Sequence, residues 1–470
     1  MNSEDNKKSA IALGSEPIGK LLTQYAVPAV IAMTASSLYN MIDSIFIGQG
    51  VGPLAISGLA ITFPLMNLAA AFGAGVGVGA STCISVKLGQ RDYKTAEQVL
   101  GNNVTLNLII GIAVGLVGLI FLAPILRFFG ASDQTLPYAR DYMQIILGAN
   151  VFSHMYFGMN AVLRSSGKPR QAMIATILSV VLNVVLAPLF IWGLGWGIRG
   201  AALATVLAQL VALLWQFRLL GNQNELLHLQ TPIKSLPNSR RRYEIADLYR
   251  LKGDIVKNIL AIGVSPFAMN ACACLVVIFI NNALVTYGGD LAVGAYGIAN
   301  RIGFLFFMVV MGLNQGMQPI AGYNYGARHF DRLRRVFRLT VSAAVAVMVV
   351  GWLVGELFPR PCARLFTSDE QLIRLSVDGI RINMLLFPLI GAQAVITNFF
   401  QSIGKAKVSI FLSLSRQLIF LLPLVILLPP IMGVNGVWYS FPASDLIAFV
   451  VAVVMMIIYM RRLKVMGSES

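Results

Sequence analysis

Asp43 has the setting in this 470-residue chain that most constrains chemistry. It lies in SLYNMIDSIFIG, and no Lys or Arg occurs between Lys20 and Lys87, so no sequence neighbour neutralises it. Ser36, Tyr39 and Asn40 precede it by seven, four and three residues, spacings that put all four on one face of a helix. A carboxylate on a polar stripe in an otherwise apolar helix is suited to taking up and releasing a proton, or to pairing with a monovalent cation. The blander reading is a structural carboxylate hydrogen-bonded to a helix break. Ser36 and Asn40 are candidates to line a substrate cavity beside it.

Asn183 and Thr205 fall at compatible depth. At about 1.5 Å per residue, Asp43 is roughly 9 Å before the connection at Gln49, Thr205 roughly 9 Å after Arg199, and Asn183 roughly 15 Å before Gly193. A carboxylate, an amide and a hydroxyl converging in one bundle could hold a hard cation through oxygen ligands or form a proton network. Interhelical hydrogen bonding alone would equally explain the amide and the hydroxyl.

Arg416 in SLSRQLIFLLP and Asp445 in FPASDLIAF lie in adjacent antiparallel segments, roughly 16 and 24 Å from one face when counted inward from Lys405 and Arg461. Each neutralises the other, which predicts a structural ion pair. Arg301, Asp378, Arg381 and Glu356 lie nearer segment ends and are expected to snorkel or anchor. His154 is a candidate pH-responsive group, although a lone histidine on an apolar face is more often simply hydrogen-bonded.

No nucleophile triad, metal-ligand cluster, phosphate loop or dinucleotide fingerprint occurs, so an enzyme is not expected. GAGVGVG at 73–79 lacks the strand–turn–helix setting of a phosphate cradle and reads as close helix packing. Cys83, Cys272, Cys274 and Cys362 form neither a CxxC pair nor a plausible metal spacing and read as small apolar fillers. No cofactor and no resident metal are expected.

The elements that position these residues are membrane spans. With 57% hydrophobic and 12% charged residues, the chain carries about half the charge of an ordinary globular domain. Apolar stretches long enough to cross a hydrocarbon core of about 30 Å recur through it. They fall at 18–48, 52–84, 96–126, 136–163, 171–193 and 199–220, then at 254–286, 291–322, 336–358, 374–402, 408–430 and 434–460. The predicted fold class is an all-α membrane protein with twelve transmembrane helices in two pseudo-symmetric six-helix lobes. Its parts are a tail (1–17), an N-lobe (18–220), a linker (221–253), a C-lobe (254–460) and a second tail (461–470).

The net charge of +16 sits in alternate connections, among them Lys87–Lys94, Arg164–Arg170, Arg240–Lys257, Arg328–Arg338 and Arg461–Lys464, whereas those near Gln49, Gly195, Gly288 and Pro430 are nearly uncharged. That is a positive-inside pattern with both termini cytoplasmic, and it argues against nucleic acid as a partner. The polar opening segment, MNSEDNKKSAIALGSEP, shows no secretory signal peptide.

The two halves overlay almost without gaps. Leu54–Ile61 aligns with Leu291–Ile298, Gly89 with Gly326 and Gly167 with Gly404, all at one constant offset, and Gly200 aligns with Gly436. An even number of spans per half makes these parallel repeats, with a cavity expected between the lobes. The counterpart of Asp43 in the second half is Asn281, so the acidic feature occurs once.

YNMIDSIFIGQ at 39–49, LRSSGKPRQAM at 163–173, LNVVLAPLFIWGLGWGIRGAALAT at 182–205, QSIGKAKVSIFLSLSRQ at 401–417 and GVNGVWYSFPASD at 433–445 together resemble the multidrug and toxic compound extrusion (MATE) family, in the branch of the MepA-type bacterial exporters. The resemblance implies a secondary antiporter that expels cationic or amphipathic drugs by alternating access. It further implies an N-lobe cation or proton site at Asp43, Asn183 and Thr205 with Tyr39 close by, in a multi-pass protein of the bacterial inner membrane that acts as a monomer. Relatives often read N-x-x-x-D in the fifth span, whereas this chain has Ala187 four residues after Asn183. The proton is therefore the favoured coupling ion, with sodium possible. The alternative function is export or flipping of an endogenous metabolite or lipid-linked substrate.

Overall fold

The computed structural model describes residues 12–221, 227–229, 247–366 and 369–468. The side chains of Asn40, Met41, Pro53, Leu54, Ile56, Ser57, Ala60, Asp290 and 464–468 lie outside the described residues, as does most of the expected linker. All regular structure among the described residues is helical. Hydrocarbon offers no partner to backbone polar groups, and helices satisfy them within one segment.

Ten helices among the described residues are long and apolar enough to cross a membrane. In the first half they are Ile18–Ile47, Ile61–Gly89, Tyr93–Ile120, Pro169–Gly193 and Gly197–Leu220, and in the second Asp247–Gly289, Leu291–Gly326, Phe330–Leu357, Ala406–Met432 and Val434–Leu463. Glu370–Met384 and Phe387–Ser402, bent by 48° at their junction, make an eleventh. The fourth span is a broken pair, Leu136–Gly148 and Asn150–Ser165, interrupted at Ala149. Its many polar residues, among them Arg140, Asp141, Asn150, His154 and Asn160, dilute the hydropathy that marks the others. With this pair, twelve helical segments of spanning length follow one another in the expected order among the described residues.

Backbone conformation repeats along with sequence. Gly52 and Gly289 have φ of 117° and 71°, Gly167 and Gly404 have 85° and 74°, and Arg91 and Arg328 have 60° and 58°; each pair is related by the repeat offset. Positive φ is costly for a residue with a Cβ, so the same strained turn at two arginines marks one turn used twice. The closing hydrogen bonds match as well: Asp92 N to Lys87 O and His329 N to Asn324 O are both 2.9 Å.

The chain forms two compact units. One contains Ile31–Phe267 and the other Pro17–Val30 with Ala268–Ser470, so the units part inside the first and seventh spans rather than in the 221–253 linker. Glycines explain the division. Within the first unit, a methyl group at Gly75 would lie 2.8 Å from Gly263 O, and one at Gly79 would collide with Ile259 O. Within the second, methyls at Gly312 and Gly316 would lie 2.6 Å from the Cα atoms of Val30 and Ala26. The repeat offset carries Gly75 and Gly79 onto Gly312 and Gly316, so each copy uses one glycine stripe to seat a half-helix against its backbone. The linker end is fixed too: Asn102 Nδ2 donates to Arg250 O at 3.2 Å and Lys252 N to Asn102 Oδ1 at 2.9 Å.

Gly79→Ala should lower thermal stability in detergent by about 1–3 kcal/mol, the usual cost of forcing atoms into a packed interface. Gly297→Ala, where nothing lies within 4 Å of the added methyl, should be neutral or slightly stabilising. Equal melting shifts for the two variants would contradict the packing role.

Candidate functional site

The first span carries Tyr39 and Asp43, the fifth Asn183 and the sixth Thr205. Pro188 is followed by a π-helical turn at Leu189–Gly193, which seats the end of the fifth span against the first. Gly50 packs on Ile191 and Trp192 with no room for a side chain, and the Phe46 and Trp192 rings meet edge-on at 5.7 Å.

Thr205 is the hub. Its hydroxyl donates to Ala201 O one turn back at 3.2 Å, and Asn183 Nδ2 donates to Thr205 Oγ1 at 2.9 Å. Tyr39 Oη and Thr205 Oγ1 are also 2.9 Å apart. A hydroxyl has one proton and two lone pairs, so with its proton on Ala201 O, Thr205 must accept from Tyr39. Both lone pairs are then filled. Asp43 is 5% exposed, and its Oδ1 is buried with no hydrogen-bond partner. A buried carboxylate oxygen left unpaired is costly unless a proton, a cation or water meets it. Ala187, one turn beyond Asn183, is fully buried with Ile47, Ala201 and Ala204, so no second carboxylate stands there.

Tyr142 completes the group and was not among the residues expected from sequence. It is 1% exposed and lies near Thr205, Asp43 and Tyr39. Depth could have found it: six residues after the helix start at Leu136 is about 9 Å, the depth counted for Asp43. Ser36 is half-buried and makes none of the hydrogen bonds at Thr205. The Asn40 side chain lies outside the described residues. No cluster of three or more His, Cys, Asp or Glu suited to a metal occurs among the described residues.

His154 is fully buried, with Nε2 2.9 Å from Ala69 O and 3.2 Å from Asn150 Nδ2. Because Ala69 O can only accept, Nε2 carries the proton. In the second half, Arg416 Nε donates to Asp445 Oδ1 at 2.7 Å, with Asp445 4% exposed. Arg416 sits in a π-helical stretch, Ser415–Leu421.

A duplicated twelve-helix membrane fold with one polar node per half is the architecture of a membrane transporter. The sequence profile of the MatE family matches residues 28–189 and again 266–427, once per repeat, and the chain belongs to that family. It is 26% identical over 449 residues to the multidrug export protein MepA of Staphylococcus haemolyticus, covering 95% of this chain and 94% of that protein. It is 24% identical to MepA of Staphylococcus aureus over 96% of each. Among solved structures, it is similar to a MATE multidrug transporter, DinF-BH, solved as a complex (37% identity, TM-score 0.84, 94% of this chain and 96% of that one). It is also similar to an outward-facing multidrug resistance MATE transporter of the MOP superfamily (25%, 0.88, 97% and 98%).

Removing one member of the Arg416–Asp445 pair leaves a buried charge unpaired, typically a loss of about 3–5 kcal/mol. Arg416→Gln and Asp445→Asn should each lower the detergent melting temperature, and the double variant should recover much of the loss. A double variant no better than the worse single one means the pair is not structural.

Proposed function

We infer that this chain is a multidrug efflux antiporter of a bacterial cytoplasmic membrane, exporting cationic or amphipathic compounds in exchange for protons that bind at Asp43. The observation that carries the reading is the buried, unpartnered Oδ1 of Asp43 beside a threonine whose one proton is already committed to Ala201 O. A proton on Asp43 removes the buried charge in one step. Sodium would need several oxygen ligands in place of its hydration shell. Here both lone pairs of Thr205 are occupied and Ala187 offers none. Gradient coupling requires that the ion-bound and ion-free states favour different conformations. Tyr39 and Tyr142 couple the charge on the first span to the fourth and sixth. Support for the substrate class comes from relatives named as multidrug exporters and multidrug transporters. Both termini on the cytoplasmic side agrees with the distribution of basic residues.

Asp43→Asn keeps size and hydrogen bonding but fixes the charge. It should leave the protein folded and abolish gradient-driven export in proteoliposomes; wild-type efflux by this variant would sink the assignment.

Wild-type efflux of a cationic dye should respond to an inward proton gradient at zero sodium and change little on adding sodium. Ala187→Asp should make efflux more responsive to sodium, because a second carboxylate then stands one turn from Asn183. Efflux that needs sodium and ignores pH would overturn proton coupling.

A further inference from the structure

We propose that Arg416, beyond pairing with Asp445, is an oxyanion subsite of the C-lobe that takes the carboxylate of zwitterionic amphipathic substrates. The inference rests on the efflux reading above and names a substrate class within it.

Asp445 occupies only one edge of the guanidinium, through Nε. The four N–H donors on Nη1 and Nη2 make no hydrogen bond to protein among the described residues, and the side chain is 28% exposed. Arg416 lies 11 residues inside Lys405, about 16 Å along the helix, near the middle of a hydrocarbon core about 30 Å thick. Four unbonded donors on a cation are not tolerated against acyl chains at that depth. The open edge of this 28% exposed side chain must therefore meet water or a ligand rather than acyl chains. The next residue, Gln417, has its Oε1 buried without a partner, so the protein alone does not complete the polar lining here. A π-helical stretch, of the kind that recurs at functional sites, carries both side chains.

The repeat gives the location meaning. With the offsets that hold for these spans, Arg416 corresponds to Ser179 and Asp445 to Gln209. Those positions stand one turn from Asn183 and Thr205, the polar node of the N-lobe. Each lobe thus places its polar group where its last two spans run side by side. One lobe holds a carboxylate that can change charge, the other a guanidinium that cannot. A planar two-donor edge fits a carboxylate, with two parallel charge-assisted hydrogen bonds.

The test uses one dye in two forms: a rhodamine with a free carboxylate, and its ethyl ester. Both are measured for binding to purified protein and for efflux from proteoliposomes. Arg416→Lys keeps a charge beside Asp445 but loses the fork, and Arg416→Gln with Asp445→Asn removes both charges. In each variant the affinity for the acid relative to the ester should fall about tenfold or more, the scale of a lost charge-assisted hydrogen bond. An unchanged acid-to-ester ratio in whichever variants fold overturns the proposal, as does wild-type protein that binds the ester but not the acid. Failure of the wild-type protein to transport either dye would instead count against the efflux reading.

Discussion

Hydrocarbon is the solvent for most of this chain, and it offers no hydrogen bonds. Backbone groups must therefore be satisfied within each segment, which leaves helices, and every polar side chain at depth must find a partner in the protein or in enclosed water. Thr205 shows how tightly this binds. Its one proton and two lone pairs are matched to Ala201 O, Asn183 and Tyr39, so nothing from it remains for Asp43. In water such a shortfall costs little. In this setting it leaves the buried Asp43 Oδ1 without a hydrogen-bond partner.

The same solvent shapes helix packing. Lipid chains are as apolar as leucine, so helices gain little from hiding apolar surface from one another and associate by close backbone approach instead. Gly75 and Gly79 seat the start of the seventh span in one unit, and Gly312 and Gly316 seat the start of the first span in the other. Each of these long helices therefore divides near its proline, Pro28 or Pro266. A missing amide hydrogen bond makes bending cheap there. Bending of the first span at Pro28 would move the segment that carries Tyr39 and Asp43.

Much of this was legible in the sequence because membrane depth can be counted. Span number, the repeat offset and the adjacency of Asn183 and Thr205 all follow from rise per residue and from the alternation of charged connections. Tyr142 was missed because its helix begins among polar residues and looks weakly apolar, although the same count places it level with Asp43. The division of the first and seventh spans could not be read. It depends on which backbone meets which glycine across a long stretch of chain, as Gly79 meets Ile259, and the sequence shows the glycines without their partners. The π-helical turns at 189–193 and 415–421 have no local composition that distinguishes them from ordinary helix.

Duplication gave the two halves the same turns and the same glycine stripes, yet their charges have diverged. Asp43 has Asn281 as its counterpart, while Ser179 and Gln209 stand where the second half has Arg416 and Asp445. With a single carboxylate at the N-lobe node, the proposed cycle moves one proton. Exchange of one proton for a monovalent lipophilic cation carries no net charge across the membrane, so the pH gradient alone drives it. Exchange for a zwitterion brings one positive charge inward per turnover. The membrane potential then adds about 2.3 kcal/mol per 100 mV to the driving force. On the proposed mechanism, the charge state of the substrate decides which part of the proton-motive force the transporter can use.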